Sequence, residues 1–143
     1  MEVQELYRGR LIDHIQIVVN DLQLSRKFYD AVFGALEIPF GGQGPEFFFF
    51  DEFCVSSAKS PAAVGKLTGR IHIAFQARDE EMVRKFYNAG LAAGGTDNGS
   101  PGIREKYHPG YFGAFICDPD GNNIEAVFHG KANRSSEAVK IIF

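Results

Sequence analysis

The chain has 143 residues, 45% of them apolar and 23% charged, with a formal net charge of −3. That size and balance specify one globular domain, or two small modules sharing a core, and the mildly acidic charge leaves no basic face for nucleic acid or an anionic membrane. The longest apolar run, Phe47 to Phe50, is far too short to span a bilayer, and the polar lead-in Met1 to Arg10 is no signal peptide.

Leu11 to Val19 alternates as a strand: Ile15, Ile17 and Val19 on one face, and Ile12, His14, Gln16 and Val18 on the other. The uniformly apolar face should pack on a helix, and the His14/Gln16 face should look into something more polar. Asn20-Asp21 caps a helix whose apolar positions Leu24, Phe28, Ala31 and Ala35 follow helical spacing. Leu36 to Phe40 reads as a strand, broken by the glycines and proline of residues 41–45. Glu46 to Phe50 and Phe53 to Ala58 read as an antiparallel pair around Asp51-Glu52, and Lys59 to Thr68 as a linker.

The plan then repeats. A shift of 58 residues sets His14-Ile15 on His72-Ile73, Asp21 on Asp79 and Arg26-Lys27-Phe28-Tyr29 on Arg84-Lys85-Phe86-Tyr87, with no gap. This is an internal duplication of a strand–helix unit. In the second copy Ile71, Ile73 and Phe75 face the helix, and His72 shares the other face with Ala74 and Gln76. Asp79 caps a helix carrying Met82, Phe86, Ala89 and Ala93, which Gly94-Gly95 stops. Thr96 to Gly110, rich in Gly, Pro and Asn, reads as a long loop of the functional kind. Tyr111 to Cys117 is a strand, residues 118–121 a tight turn, and Asn123 to His129 the last strand. Gly130 to Phe143 is a tail with a weakly amphipathic end (Val139, Ile141, Ile142) that would pack on the body or on a partner subunit.

The expected fold is therefore α+β, a single domain over residues 1–143. Module one covers about 11–60, module two about 69–129, and the tail 130–143. Each module is βαβββ, and the two together form a curved mixed sheet around a cleft, with the helices outside. Fourteen Phe and no Trp point to a Phe-rich core. Cys54 and Cys117 have no CxxC spacing and read as isolated buried thiols of a cytoplasmic protein.

In the last strand Ile124, Ala126 and Phe128 share one parity, and Glu125, Val127 and His129 the other. If the apolar set faces the helices, Glu125 joins His14 and His72 in the cleft. Two imidazoles and one carboxylate suit a divalent transition ion, Fe, Zn, Ni or Mn, and leave coordination positions open for substrate. The loop before the Tyr111–Cys117 strand supplies a wall: Arg104 to hold an anionic substrate end, His108 as acid/base, and Tyr107 or Tyr111 as a donor. Gln16 shares the His14 face and joins the substrate-binding set.

The start DHIQIVVNDL, the duplicated RKFY helices and the end FICDPDGNNIEAV carry a resemblance, over residues 11–129, to the vicinal oxygen chelate superfamily. That superfamily includes glyoxalase I, the fosfomycin and bleomycin resistance proteins and the extradiol dioxygenases. The resemblance implies metal ligands from the first strand of each module and from the last strand, which here are His14, His72 and Glu125. It implies a fourth position in the last strand of module one, where laying Phe53-Cys54-Val55 on Ile124-Glu125-Ala126 puts Cys54 in place of a carboxylate. The final hairpin, with His108, Phe115, the turn 118–121 and Glu125, is similar to the extradiol signature, except that Phe115 stands where that signature has Tyr. The implied function is a metal-dependent enzyme on a small oxygenated molecule, a glyoxalase-type lyase or isomerase or an extradiol-type dioxygenase, working as a homodimer. The alternative is a small-molecule binding protein of the bleomycin-resistance kind without catalysis.

Overall fold

In the computed structural model, which describes residues 5–9, 12–67, 71–133 and 138–142, Asp21 and Asp79 each start a helix. The Asp21 carboxylate accepts from the N–H groups of Gln23 and Leu24 at 3.0 Å, and that of Asp79 from Met82 at 2.8 Å. Each satisfies donors that the first helical turn leaves free. Helix α1 spans Leu22–Ala35 and α2 Glu80–Ala92. The buried face of α1 is Ser25, Phe28, Tyr29, Val32 and Phe33. Leu24, read as part of that face, lies on the open side and is 55% exposed. Gly94, with φ of 102°, ends α2 as expected, and the Gly95 N–H reaches back to the Gly90 carbonyl at 2.9 Å.

Strands β1 (Glu5–Arg8) and β10 (Val139–Ile142) pair with each other, antiparallel. The lead-in and the tail thus meet as a two-stranded ribbon, which no local pattern announces. Module one continues through β2 (Ile15–Val19), β3 (Gly42–Gly44), β4 (Phe47–Phe50) and β5 (Phe53–Ser57). Module two is built from β6 (His72–Gln76), β7 (Thr96–Ile103), β8 (Phe112–Cys117) and β9 (Asn123–Phe128). Leu11, Gly69 and Arg70, with which the two repeats open, lie outside the described residues.

Two expectations are corrected. Residues 36–40 form no strand. Glu37 takes a left-handed conformation (φ 59°) and the Ile38 N–H bonds the Phe33 carbonyl at 2.9 Å, which closes α1. The strand comes later, at the glycines read as a break. A Cβ at Gly41 would lie 2.5 Å from the Phe49 ring and one at Gly44 2.3 Å from the Phe47 ring, so only a bare backbone fits against those rings. Likewise the first half of the supposed loop 96–110 is strand β7, an edge strand with register shifts between Asp97 and Gly99 and between Gly99 and Gly102. Bulged edges tolerate the Gly and Pro that made it read as loop.

Among the described residues the modules form two four-stranded mixed sheets, β2-β5-β4-β3 and β6-β9-β8-β7. In each, the first strand runs parallel to the last and the other pairs are antiparallel. The registers repeat as well: Gln16 stands opposite Cys54, and Ala74 opposite Glu125. Since Gln16 and Ala74 are 58 residues apart, the ladder sets Cys54 on Glu125, as the sequence alignment proposed.

One core joins the modules. Phe75 of β6 inserts its ring against Phe33 and Phe53, with centroids 4.8 and 5.4 Å apart. Gly90 lets α2 approach closely, since a Cβ there would be 2.5 Å from Ile116 Cδ1 and 3.1 Å from Val32 Cγ1. No ladder joins the two sheets among the described residues, so β2 and β6 each keep one unpaired edge. Among the described residues no helix is long and apolar enough to cross a membrane.

Candidate functional site

Strand parity sorts the side chains of sheet two. Ile124 and Ala126 are fully buried against the helices. Glu125 therefore turns to the opposite face, where His72 stands on the neighbouring parallel strand, and its side chain is only 2% exposed. His72 Nδ1 lies 2.9 Å from the Asn123 carbonyl oxygen. A carbonyl only accepts, so Nδ1 carries the hydrogen and Nε2 is the basic nitrogen. That Nε2 faces Glu125 Oε1 at 3.1 Å. The two atoms can share a proton or, without it, present lone pairs to one cation. Two ligands each about 2.1 Å from an ion and 3.1 Å apart subtend a little over 90°, an ordinary angle between neighbouring ligands. His72 and Glu125 can thus supply two neighbouring ligands to one ion.

The other carboxylate oxygen is occupied. Tyr111 donates its hydroxyl to Glu125 Oε2. Burial, followed by the bond to Glu125 and that group's charge, pushes the phenol well above its usual range, so it remains a donor. Gly113, across the ladder, makes room for both. A Cβ there would lie 3.0 Å from Glu125 Oε2 and 3.2 Å from Tyr111 Cε1. Phe115 covers the centre from the side, its ring 6.0 Å from that of His72 and nearly parallel to it.

The remaining candidates are arranged differently. Arg104 donates from Nη1 to the carbonyls of Gly102 and Gly113, at 2.7 and 3.1 Å, and from Nη2 to that of Ser100 at 2.7 Å. It ties the bulged strand β7 to β8 rather than reaching outward. Tyr107 is 53% exposed and leans on the Tyr111 ring. His108 donates from Nδ1 to the Pro109 carbonyl at 3.0 Å, while its Nε2 meets His129 Nδ1 at 2.9 Å. The ring centroids are 5.1 Å apart, so the two imidazoles meet nose to nose along the N–H···N bond. Both rings pack edge-on against Tyr111. His129 is therefore the partner of His108, and its shared parity with Glu125 was the one signal that pointed there. Four residues of extended chain put it about 13 Å along from Glu125.

His14 precedes β2 in the other sheet. Its side chain is 65% exposed and Nδ1 bonds Asp13 Oδ1 at 2.7 Å. The chain brings His72 and Glu125 together but does not bring His14 to them. Among the described residues no three His, Cys, Asp or Glu side chains are grouped to hold an ion. On the open face of sheet one, Gln16 Nε2 donates to Ser56 Oγ at 2.9 Å, and Cys54 is half-buried, which pushes its thiol up.

The family model of the Glyoxalase/Bleomycin resistance protein/Dioxygenase superfamily matches residues 11–126. The chain belongs to this superfamily. A glyoxalase/bleomycin resistance protein from Albidiferax ferrireducens T118 is 31% identical, with a TM-score of 0.68, over 82% of this chain and 97% of that one. A superfamily enzyme from Burkholderia phytofirmans PsJN is similar at 22% identity (TM-score 0.62, 80% of this chain and 95% of that one). A lactoylglutathione lyase from Agrobacterium tumefaciens is similar at 20% identity (TM-score 0.60, 81% and 91%), and these two likenesses speak to fold alone. No curated protein matches the chain. Within the superfamily, membership accounts for the two βαβββ modules and the open sheets, whereas reaction and ligands have to be argued from the site.

Proposed function

We propose that the chain is a metal-dependent enzyme acting on a small molecule that presents two neighbouring oxygens, and that it works as a homodimer. The observation that carries this reading is the His72–Glu125 pair, with the tautomer of His72 set by Asn123 and one carboxylate oxygen left facing Nε2. His72 and Glu125 would hold a divalent transition ion together with His14 from a second copy. The exposure of His14 and the unpaired edges of β2 and β6 support a second copy that lays its sheet one over this chain's sheet two. The bound ion would polarise the substrate oxygens and stabilise the charge that develops on them.

The chain's own residues supply the rest. Tyr111 holds Glu125 Oε2 so that Oε1 is the oxygen presented beside His72. Phe115 and the buried setting of Glu125 keep bulk water away from that oxygen. Both nitrogens of His108 are engaged, Nδ1 by the Pro109 carbonyl and Nε2 by His129. The pair serves first to close the 104–111 loop over Tyr111. Two free thiols, Cys54 and Cys117, support a reducing, cytoplasmic setting.

The test loads the purified protein with Fe(II) and offers catechols, and with Ni(II) or Zn(II) and offers hemithioacetals. Turnover in one of the two screens, lost on chelation and in His72→Ala, is the expected result. Silence in both from protein that holds its metal would leave the binding-protein reading, which a cavity on sheet one lined by Gln16, Pro45, Phe47 and Cys54 favours.

A further inference from the structure

Sheet one carries a cavity of about 430 Å³ on the face that corresponds to the His72–Glu125 centre of sheet two. Gln16, Pro45, Phe47, Cys54, Pro61 and Ala62 line most of it. The matching registers show what the two copies did with the same place: Glu125 on one sheet, the thiol of Cys54 on the other. Among the described residues nothing cationic lines this cavity, and the one carboxylate in its lining, Glu46, accepts from Ser57 Oγ. Besides Ser60, the uncharged polar residue of its lining is Gln16 on β2. Its Nε2 donates to the hydroxyl of Ser56, which is fully buried, so the amide is held in one orientation. That leaves Gln16 Oε1 as an acceptor facing walls that are apolar but for Glu46 and Ser60, whose Oγ accepts from the Ala62 N–H at 3.3 Å; the carboxylate disfavours anions, and the free acceptor disfavours bare hydrocarbon and rewards one donor.

We propose that this pocket is a binding site for the neutral ring of a small molecule, apolar apart from one hydroxyl or N–H group donated to Gln16 Oε1. The occupant is of the phenol kind: a flat apolar body against Phe47, Pro45 and Pro61, with its donor toward Gln16. The site itself needs no metal. Its use as the substrate's second anchorage rests on the proposed function, and would make that substrate a neutral, ring-bearing molecule with its neighbouring oxygens at the far end.

Cys54 reports on occupancy, and Cys117, on the other sheet, serves as the control in the same chain. Alkylation by iodoacetamide at pH 8.5 is followed at each thiol by peptide mass spectrometry, with phenol, toluene or benzoate present and chelator throughout. Phenol at millimolar concentration is expected to slow Cys54 about fivefold or more and to leave Cys117 unchanged. Toluene should protect less and benzoate not at all. Gln16→Leu, a change on a half-exposed strand position, should remove the preference for phenol over toluene. Amide resonances of Phe47, Cys54 and Ala62 should shift with phenol in parallel, a measurement that does not depend on thiol chemistry. Equal protection of both thiols, benzoate acting as well as phenol, or unmoved resonances up to the solubility limit of phenol would overturn the proposal. Protein that binds zinc but fails these tests sinks the pocket alone. Protein that passes them but takes up no divalent ion sinks the metal reading alone.

Discussion

Exchanging Glu125 for Gln is expected to lower the affinity for Zn(II) or Ni(II) by about 100-fold or more in a competition titration, while Cys54→Ser changes it by less than about threefold. The substitution keeps the shape of the side chain and removes its charge. Gln can still accept from Tyr111 and can donate to His72 Nε2, so both neighbours of the carboxylate keep a partner. A carboxylate 2% exposed costs free energy to bury, and its neutral replacement should leave the melting temperature unchanged or raise it. A loss of metal without a loss of fold would set Glu125 apart from a structural residue. Equal losses in the two variants would instead make Cys54 a fourth ligand.

Asp118→Ala is expected to destabilise the protein by about 3 kcal/mol or more, and to lower the melting temperature by about 10 °C. The Asp118 side chain is 3% exposed and accepts four hydrogen bonds. Oδ2 takes the Tyr29 hydroxyl at 2.7 Å and Asn122 Nδ2 at 2.9 Å, and Oδ1 takes the N–H groups of Asp120 and Asn122 at 2.9 and 2.8 Å. Truncation removes the acceptor of all four bonds, the one to the buried Tyr29 hydroxyl included. Tyr29 belongs to α1 and Asp118 to the turn before β9, so the same carboxylate ties module one to the strand that presents Glu125. Tyr29→Phe removes one of the four bonds and should cost about 1 kcal/mol. Thermal unfolding followed by circular dichroism measures both. A shift for Asp118→Ala no larger than that for Tyr29→Phe would show that the turn holds without its carboxylate.

Much of this geometry was legible in the chain because it is local and periodic. Alternation alone placed Ile17 and Val19 in the core and Glu125 on the opposite face from Ile124 and Ala126. The repeat found both helix caps, and Phe28 and Phe86, which the 58-residue shift superposes, are both fully buried. Their neighbours show where the copies diverged: Tyr29 is buried on Asp118, whereas Tyr87 donates to Asp97 at 2.8 Å on the surface. What could not be read depends on distant partners. Strand β3 is Gly-Gln-Gly and β7 is interrupted by Asn, Gly and Pro, and both exist because a neighbouring strand offers a ladder. The β1–β10 pairing joins the two ends of the chain, and the His108–His129 bond joins a loop to a strand end. His14 shows the limit most plainly. Parity gives the face of its own sheet, and it does not say which other sheet that face will meet.

The central claim, a site shared between two copies, is tested most directly by mixing two inactive variants. His14→Ala and His72→Ala each remove one ligand from every site of a homodimer. If sites form between copies, a mixed dimer holds one site with neither substitution and one with both. After the variants are unfolded and refolded together, tight metal binding should return to about a quarter of the wild-type sites, with each variant alone showing none. A mixture that binds no more metal than its separate components would contradict the shared site.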